Sequence, residues 1–119
     1  MMSLANVLLT ILCVVAISCG QVLFKIAARS VSASSDVVSV GQNLALNPYL
    51  LAGLVLYLAT TFLWIWLLRT IPLSVAYPFM ALAFLFVPIM GAVFLGESLS
   101  FRNALGGALI VTGIWVIAR

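Results

Sequence analysis

Residues 4–24 read LANVLLTILCVVAISCGQVLF, an apolar run without a charged side chain. Three more apolar runs follow at residues 49–68, 75–95 and 99–118. A helix of about 20 residues rises about 30 Å, which matches the hydrocarbon core of a bilayer. The sequence therefore predicts an all-α membrane protein, a single domain over residues 1–119 with four transmembrane helices, short hydrophilic connections and both termini on one side.

The composition supports this fold class. Hydrophobic residues make up 66% of the chain and charged residues 6%, whereas soluble domains carry about 25% charged residues. The first run has no basic residues before it and is too long for the core of a signal peptide, so we expect it to be a span of the mature protein. The net charge of +3 comes from basic residues beside the spans, which favours interface anchors and no nucleic-acid binding.

The residues of enzyme and metal sites are missing. The only acids are Asp36 and Glu97, both in predicted connections, and the chain has no histidine. Cys13 and Cys19 are six residues apart, point to different faces of one helix and are expected to be small buried residues without a disulfide. We predict no enzymatic activity, no metal and no cofactor. Proton-coupled export by a carboxylate within the membrane also loses its usual carrier.

The flanking basic residues give a weak orientation bias. Lys25, Arg29 and Arg102 flank the connections after the first and third spans, while Arg69 and Arg119 lie on the face of the termini. By the positive-inside rule, those two connections would be cytoplasmic. Three residues against two also leave open insertion in both orientations, or pairing with a sister chain of opposite bias.

The connection between Arg29 and Pro48 is long for so small a protein. It begins with a serine-rich stretch, after which Asp36 is suited to cap a short turn that puts Val40 and Leu44 on one side with Val37. An amphipathic segment lying on the membrane is one alternative. We expect a mobile loop.

Prolines mark the third span. Pro72 and Pro78 suit the start of a helix, whereas Pro88 removes a backbone donor inside the span and predicts a bend. The bend is either a packing kink or a hinge whose freed carbonyl lines a cavity, as in the broken helices of transporters.

The fourth span carries small residues. Gly106 and Gly113 share a helix face, and Gly107 lies beside them. Close approach through small residues is how helices associate in lipid. Since four spans enclose little interior, we predict a dimer that uses these glycines.

Polar side chains form a stripe on the first span. Ser18, Gln21 and Lys25 follow helical spacing towards the membrane surface. A hydroxyl, an amide and an ammonium on one face can hold an anionic headgroup. The alternative is that Lys25 only snorkels to the surface and Gln21 bonds across helices.

Other polar and aromatic residues are candidates for the same region. Glu97 lies on the same membrane face as Lys25 and is expected to pair with it, with Arg102 as a competitor. Trp66 is typical of an aromatic belt at the membrane surface. Trp64 and Tyr77 either belong to that belt or line a groove, where rigid rings pack against a sugar or an isoprenoid chain.

Four segments resemble the drug/metabolite transporter superfamily: residues 20–25 (GQVLFK), 71–78 (IPLSVAYP), 96–100 (GESLS) and 107–113 (GALIVTG). Their order and the four-span size are similar to those of small multidrug resistance proteins. The drug-exporting members have a glutamate where this chain has Ile17, and a tryptophan near the position of Met80. The acid that binds proton and drug in that family is therefore missing.

The closer resemblance is to the ArnE-like branch, the small subunits of the undecaprenyl phosphate–aminoarabinose flippase. That resemblance singles out Gln21, Lys25, Tyr77 and Glu97. It implies movement of a polyprenyl-phosphate-linked sugar between leaflets of the bacterial inner membrane, by a homodimer or a heterodimer of four-helix subunits.

Three functions stay open at this point. The first is a flippase subunit for a lipid-linked sugar phosphate, in which Lys25 holds the phosphate, Gln21 and Tyr77 donate hydrogen bonds, and Glu97 positions the lysine. A small-multidrug-resistance-like exporter of drugs or small solutes is the second. A partner subunit that transports nothing by itself is the third.

Overall fold

The structure is a computed structural model that describes residues 3–31 and 36–118. Within these residues the regular structure is helical. The elements are α1 (Leu4–Arg29), α2 (Val37–Ala45), α3 (Pro48–Leu68), α4 (Leu73–Phe79), a 3₁₀ turn (Met80–Leu82), α5 (Ala83–Leu95) and α6 (Phe101–Ala118). Because α4, the 3₁₀ turn and α5 run on as one span, four helices are long and apolar enough to cross a membrane. The predicted fold class is confirmed.

The helix bounds differ from the predicted spans mainly in the first one. Helix α1 runs on to Arg29 instead of ending at residue 24, so Lys25 and Arg29 lie on the helix rather than in the connection. The third span begins at Leu73, and the fourth begins at Phe101. Apolarity predicts the membrane-embedded part of a helix, whereas α1 continues for more than a turn beyond it.

Side-chain caps fix the helix ends. Ser3 accepts from the Asn6 N–H at the start of α1, and Asn47 accepts from the N–H groups of Tyr49 and Leu50 at the start of α3. The Asn47 side-chain amide also donates to Ser30 Oγ at 2.9 Å. This bond joins the C-terminal end of α1 to the N-terminal end of α3, so the long connection leaves from and returns to one point.

The connection itself contains a helix. Asp36 accepts from the Ser39 N–H at 2.8 Å and caps α2, as its residue type predicts. Hydrogen bonds from the Ser39 side chain and backbone hold the pKa of Asp36 below its ordinary value. Val40 and Leu44 are half-buried, as the one-sided pattern predicts, but Val37 of the same pattern is 87% exposed. The expected mobile loop is therefore wrong for residues 37–45, whereas residues 32–35 of the serine-rich stretch lie outside the described residues.

The interface between α1 and α3 contains two contacts in which an aromatic ring of one helix packs on a glycine of the other. The Tyr57 ring lies on Gly20, where an added Cβ would come within 2.6 Å of Tyr57 Cε2. In the same way, the Phe24 ring lies on Gly53, with 2.7 Å from the added Cβ to Phe24 Cε1. The two rings stack with centroids 5.2 Å apart. Each helix therefore supplies a glycine that seats the ring of the other helix.

The buried core lies towards the other end of the bundle. Cys13, Leu67, Ile71 and Ala76 form it; Cys13 is buried as predicted, whereas Cys19 is only partly buried. Among the described residues, five hydroxyls in the spans donate to the carbonyl oxygen four residues earlier in their own helix; they belong to Thr10, Ser18, Thr60, Thr61 and Thr112. No buried side-chain nitrogen or oxygen of the described chain lacks a partner.

One of the three prolines of the third span, Pro78, lies at a different position from the one expected. Pro72 is the N-cap of α4, as its predicted role at the start of a helix requires, but Pro78 lies inside α4. The irregular turn is at Met80–Leu82, upstream of Pro88, which lies inside α5. A hinge at Pro78 or Pro88 stays a prediction.

Helix α6 and the third span are the least enclosed of the four spans. Gly107 is buried against α5, because an added Cβ would come within 2.6 Å of Leu85 Cδ1. Added Cβ atoms at Gly106 and Gly113 would meet nothing within 4 Å. Gly107 therefore serves packing within the chain instead of the predicted dimer contact, while Gly106 and Gly113 remain open and their dimer role stays a prediction.

Candidate functional site

A groove runs between α1 and the third span. It has a volume of about 540 Å³ and is lined by α1, α4, the 3₁₀ turn and α5. We call it the Gln21 groove. Its lining residues are Ile17, Gln21, Tyr77, Pro78, Met80, Ala81, Ala83, Phe84, Val87 and Pro88. The groove therefore has mostly apolar walls, and its polar side chains are the amide of Gln21 and the hydroxyl of Tyr77.

The two polar side chains of the groove differ in their contacts: Gln21 is hydrogen-bonded to a neighbouring helix, whereas Tyr77 is exposed. Gln21 Nε2 donates to the Tyr57 hydroxyl across the α1–α3 interface, which is the interhelical bond foreseen as the alternative for this residue. An amide side chain carries an acceptor oxygen as well as its two N–H donors, so Gln21 can also accept a hydrogen bond from a ligand. Tyr77 is 64% exposed. The groove therefore offers donors and acceptors without a charge.

The residue at the acid position of the drug exporters lies in this groove. Ile17 is part of its wall, one turn before Gln21 on α1. Taking a cation into an apolar site without a counter-charge costs several kcal/mol. The groove therefore supplies no counter-charge to a cation that brings no anion of its own.

Two of the predicted binding residues lie away from the groove. Ser18 is fully buried, and its hydroxyl donates to the Val14 carbonyl oxygen at 2.8 Å. Trp64 packs against the buried core. Trp66 is 60% exposed with the Arg69 guanidinium 4.4 Å from its ring centroid, in accord with a belt position. The polar stripe of α1 therefore begins at Gln21.

Further along α1, two cations meet one carboxylate. Lys25 Nζ is 4.0 Å from Glu97 Oε1, and Arg29 Nη2 is 3.9 Å from the same oxygen. All three side chains are about half exposed. We call these three residues the Glu97 cluster. The expected Lys25–Glu97 pair is present, but Arg29 competes for the acid in place of Arg102, which forms no ion pair among the described residues.

The carboxylate of Glu97 is held by the backbone around it. Gly96 takes a left-handed conformation with φ of 70°, which ends α5 and turns the chain back. The Glu97 side chain then lies against Gly91, where an added Cβ would be 2.7 Å from Oε2. Arg29 adds a hydrogen bond to the Leu95 carbonyl oxygen at 3.1 Å. The end of α5 is thus joined to α1 through charged side chains.

Groove and cluster are neighbours on one helix. Lys25 follows Gln21 by four residues, which is about 6 Å along the helix axis and on the same face. A ligand with an anionic group and an uncharged polar group about one helical turn apart would therefore meet both features. The cluster keeps one unbalanced positive charge for it.

Sequence reasoning missed Tyr57, Arg29 and Gly91. Their roles depend on contacts between helices that spacing within one helix does not reveal. Arg29 alone had a sequence signal, since it follows Lys25 by four residues and would share its face if α1 continued.

The chain matches the EamA-like transporter family over residues 9–119. It is similar to two proteins named probable 4-amino-4-deoxy-L-arabinose-phosphoundecaprenol flippase subunit ArnE. The protein from Erwinia tasmaniensis is 38% identical over 98 residues, which cover 80% of this chain and 87% of that protein. The protein from Aeromonas salmonicida is 36% identical over 106 residues, or 89% of this chain and 90% of that protein.

A protein named as the probable ArnF subunit of the same flippase, from Proteus mirabilis, is 38% identical over 69 residues. That match covers 56% of this chain and 52% of the ArnF protein. No solved structure matches this chain significantly. The similarity therefore extends to both kinds of small subunit and is broader in coverage for ArnE.

Proposed function

Because the chain belongs to the EamA-like transporter family, we propose that it is a subunit of a flippase that moves a polyprenyl-phosphate-linked sugar between leaflets of the bacterial inner membrane. The sugar is aminoarabinose or a related one, by the names of the relatives. The observation that carries the proposal is an apolar groove with uncharged polar groups that leads along α1 to a pair of cations.

Each part of such a lipid has a counterpart. The phosphate meets Lys25, while Gln21 and Tyr77 bond the sugar in the Gln21 groove. Glu97 holds Lys25 towards the end of the groove when cargo is absent. The isoprenoid chain stays in lipid, since the bundle has too little interior for it. No carboxylate in the membrane is needed, because the cargo brings the negative charge.

The same features argue against a cation exporter. Ile17 takes the place of the acid in the groove wall, and both acids of the chain lie outside the spans. A cationic drug would enter without a counter-charge, at a cost of several kcal/mol. A lipid-linked amino sugar avoids that cost, because its own phosphate is the counter-charge of its amine and meets Lys25 beside the groove.

A second subunit completes the proposal. Helix α6 leaves most of its side chains exposed, including Leu109 and Trp115, and its open glycines allow close approach of another helix. The chain is similar to ArnE-named and ArnF-named proteins alike, which supports a pair of four-helix subunits. We infer a heterodimer with such a sister, with the homodimer as the second form.

Translocation in proteoliposomes tests this function. The wild-type chain, alone and with its sister subunit, is reconstituted with an undecaprenyl phosphate sugar, and lipid reaching the outer leaflet is followed over time. Lys25→Met should lower the initial rate by at least about tenfold, because a hydrogen bond to a charged group contributes about 1.5–3 kcal/mol. Arg102→Met, a cation on the same face outside the cluster, should keep the rate. Equal rates for the wild type and Lys25→Met would refute the phosphate role.

A further inference from the structure

Glu97 lies where a bound anion would lie. Its Oε1 is within 4.0 Å of Lys25 Nζ and within 3.9 Å of Arg29 Nη2, and its side chain is 45% exposed. We propose that Lys25 and Arg29 together form a phosphate site that Glu97 occupies in the empty protein and leaves when a phosphate binds. This inference rests on the proposed function and adds Arg29 as a second phosphate ligand and Glu97 as its competitor.

The distances favour exchange over a permanent pair. Charge-assisted hydrogen bonds to a carboxylate measure about 2.7–2.9 Å, whereas both cations lie about 4 Å from Glu97. The guanidinium fork and the ammonium are therefore not engaged at full strength. A phosphate diester offers one negative charge and more than one acceptor oxygen, which suits an Arg beside a Lys. It can approach both cations more closely than a carboxylate tied to the chain.

The position of Glu97 depends on a glycine. Its carboxylate rests on Gly91, and any side chain there would collide with Oε2. Arg29 is held in addition by the Leu95 carbonyl oxygen. When a phosphate binds Arg29 and Lys25 in place of Glu97, the ionic contacts between α1 and the end of α5 are lost. Binding of the headgroup is thereby coupled to the freedom of the third span.

Binding measurements on the full chain in phosphatidylcholine nanodiscs test the proposal. Undecaprenyl phosphate and inorganic phosphate are titrated separately, and affinity is measured by calorimetry. Glu97→Gln should bind the phosphate about tenfold more tightly, because two cations lose their internal anion. Gly91→Ala should change the affinity in the same direction without changing any charge. Gly41→Ala, where an added Cβ meets nothing within 4 Å, is the matched control and should bind as the wild type does.

The outcomes separate the possible sources of phosphate. Tighter binding of undecaprenyl phosphate alone assigns the site to a lipid headgroup, and tighter binding of both probes assigns it to phosphate in general; either result supports the exchange. Unchanged or weaker binding by both Glu97→Gln and Gly91→Ala overturns it. If Arg29→Met binds phosphate as tightly as the wild type does, Arg29 is not part of the site. The proposed function is refuted by a different result, namely a translocation rate that is the same for Lys25→Met and the wild type.

Discussion

Gly20 leaves the space that the Tyr57 ring fills, so a larger residue at position 20 should destabilise the protein. An alanine at position 20 would put its Cβ 2.6 Å from Tyr57 Cε2, whereas ordinary contacts begin near 3.4 Å, so the ring would have to move by about 0.8 Å. The ring has little room, since it stacks on Phe24, which in turn lies against Gly53. Gly20→Ala should therefore strain the α1–α3 interface.

The magnitude follows from two opposing effects. Overpacking of a tight contact costs about 1–3 kcal/mol. Replacing glycine by alanine in a helix returns up to about 1 kcal/mol. Gly41→Ala brings the same gain in helix propensity without a contact. The difference between the two variants in free energy of unfolding should therefore equal the steric cost, about 1–3 kcal/mol.

Unfolding in mixed detergent micelles measures this difference. The wild type, Gly20→Ala and Gly41→Ala are titrated with a denaturing detergent, and helix content is followed by circular dichroism. Gly20→Ala should unfold at the lowest denaturant fraction. If Gly20→Ala unfolds at the same denaturant fraction as Gly41→Ala, the Tyr57 ring does not pack on Gly20 as described. The description of the α1–α3 interface, which orients Gln21 towards the groove, would then be wrong.

Three further predictions concern the groove, the connection and α6. Tyr57→Phe keeps the ring but removes the acceptor of the α1 amide, and should lower the free energy of unfolding by about 0.5–1.5 kcal/mol in the same assay. Since the folded pKa of Asp36 is lowered, its cap stabilises α2 above the unfolded pKa of about 3.9 and is lost as pH falls through the folded value. The protection factor of the Ser39 amide, which is its exchange rate relative to an unfolded peptide at the same pH, should fall there, but not in Asp36→Asn. Gly107→Val should destabilise the monomer by about 1–3 kcal/mol through its buried contact with α5, whereas Gly113→Val should weaken self-association or pairing and leave the monomer's stability unchanged.

The four spans were predictable because the hydropathy signal of a membrane span extends over about 20 consecutive residues. The end of α1 was not, since Lys25 and Arg29 read as flanking charges although long basic side chains can remain on a helix and reach the surface. Helix α2 has only nine residues, too short for its pattern to decide between helix and loop, although the capping role of Asp36 was clear.

The candidate site was predictable in part for a related reason. Gln21 and Tyr77, both named as candidates from the sequence, line one groove, while their binding role stays a prediction. Ser18 shows the limit of helical spacing, because a hydroxyl on the right face can bond its own helix and leave the polar stripe. Arg29 reaches Glu97 only because α5 ends at Gly96 and turns its carboxylate back, a relation between distant segments that spacing does not contain.

The charge of the cargo tests the central claim most directly. Proteoliposomes that hold the chain and its sister subunit are offered an undecaprenyl phosphate sugar and, separately, a quaternary ammonium compound under a proton gradient. We predict transfer of the anionic lipid between leaflets and no uptake of the cation beyond that of empty liposomes. Proton-driven uptake of the cation without movement of the lipid phosphate would contradict the claim that Ile17, Lys25 and Arg29 make this groove a path for an anionic headgroup.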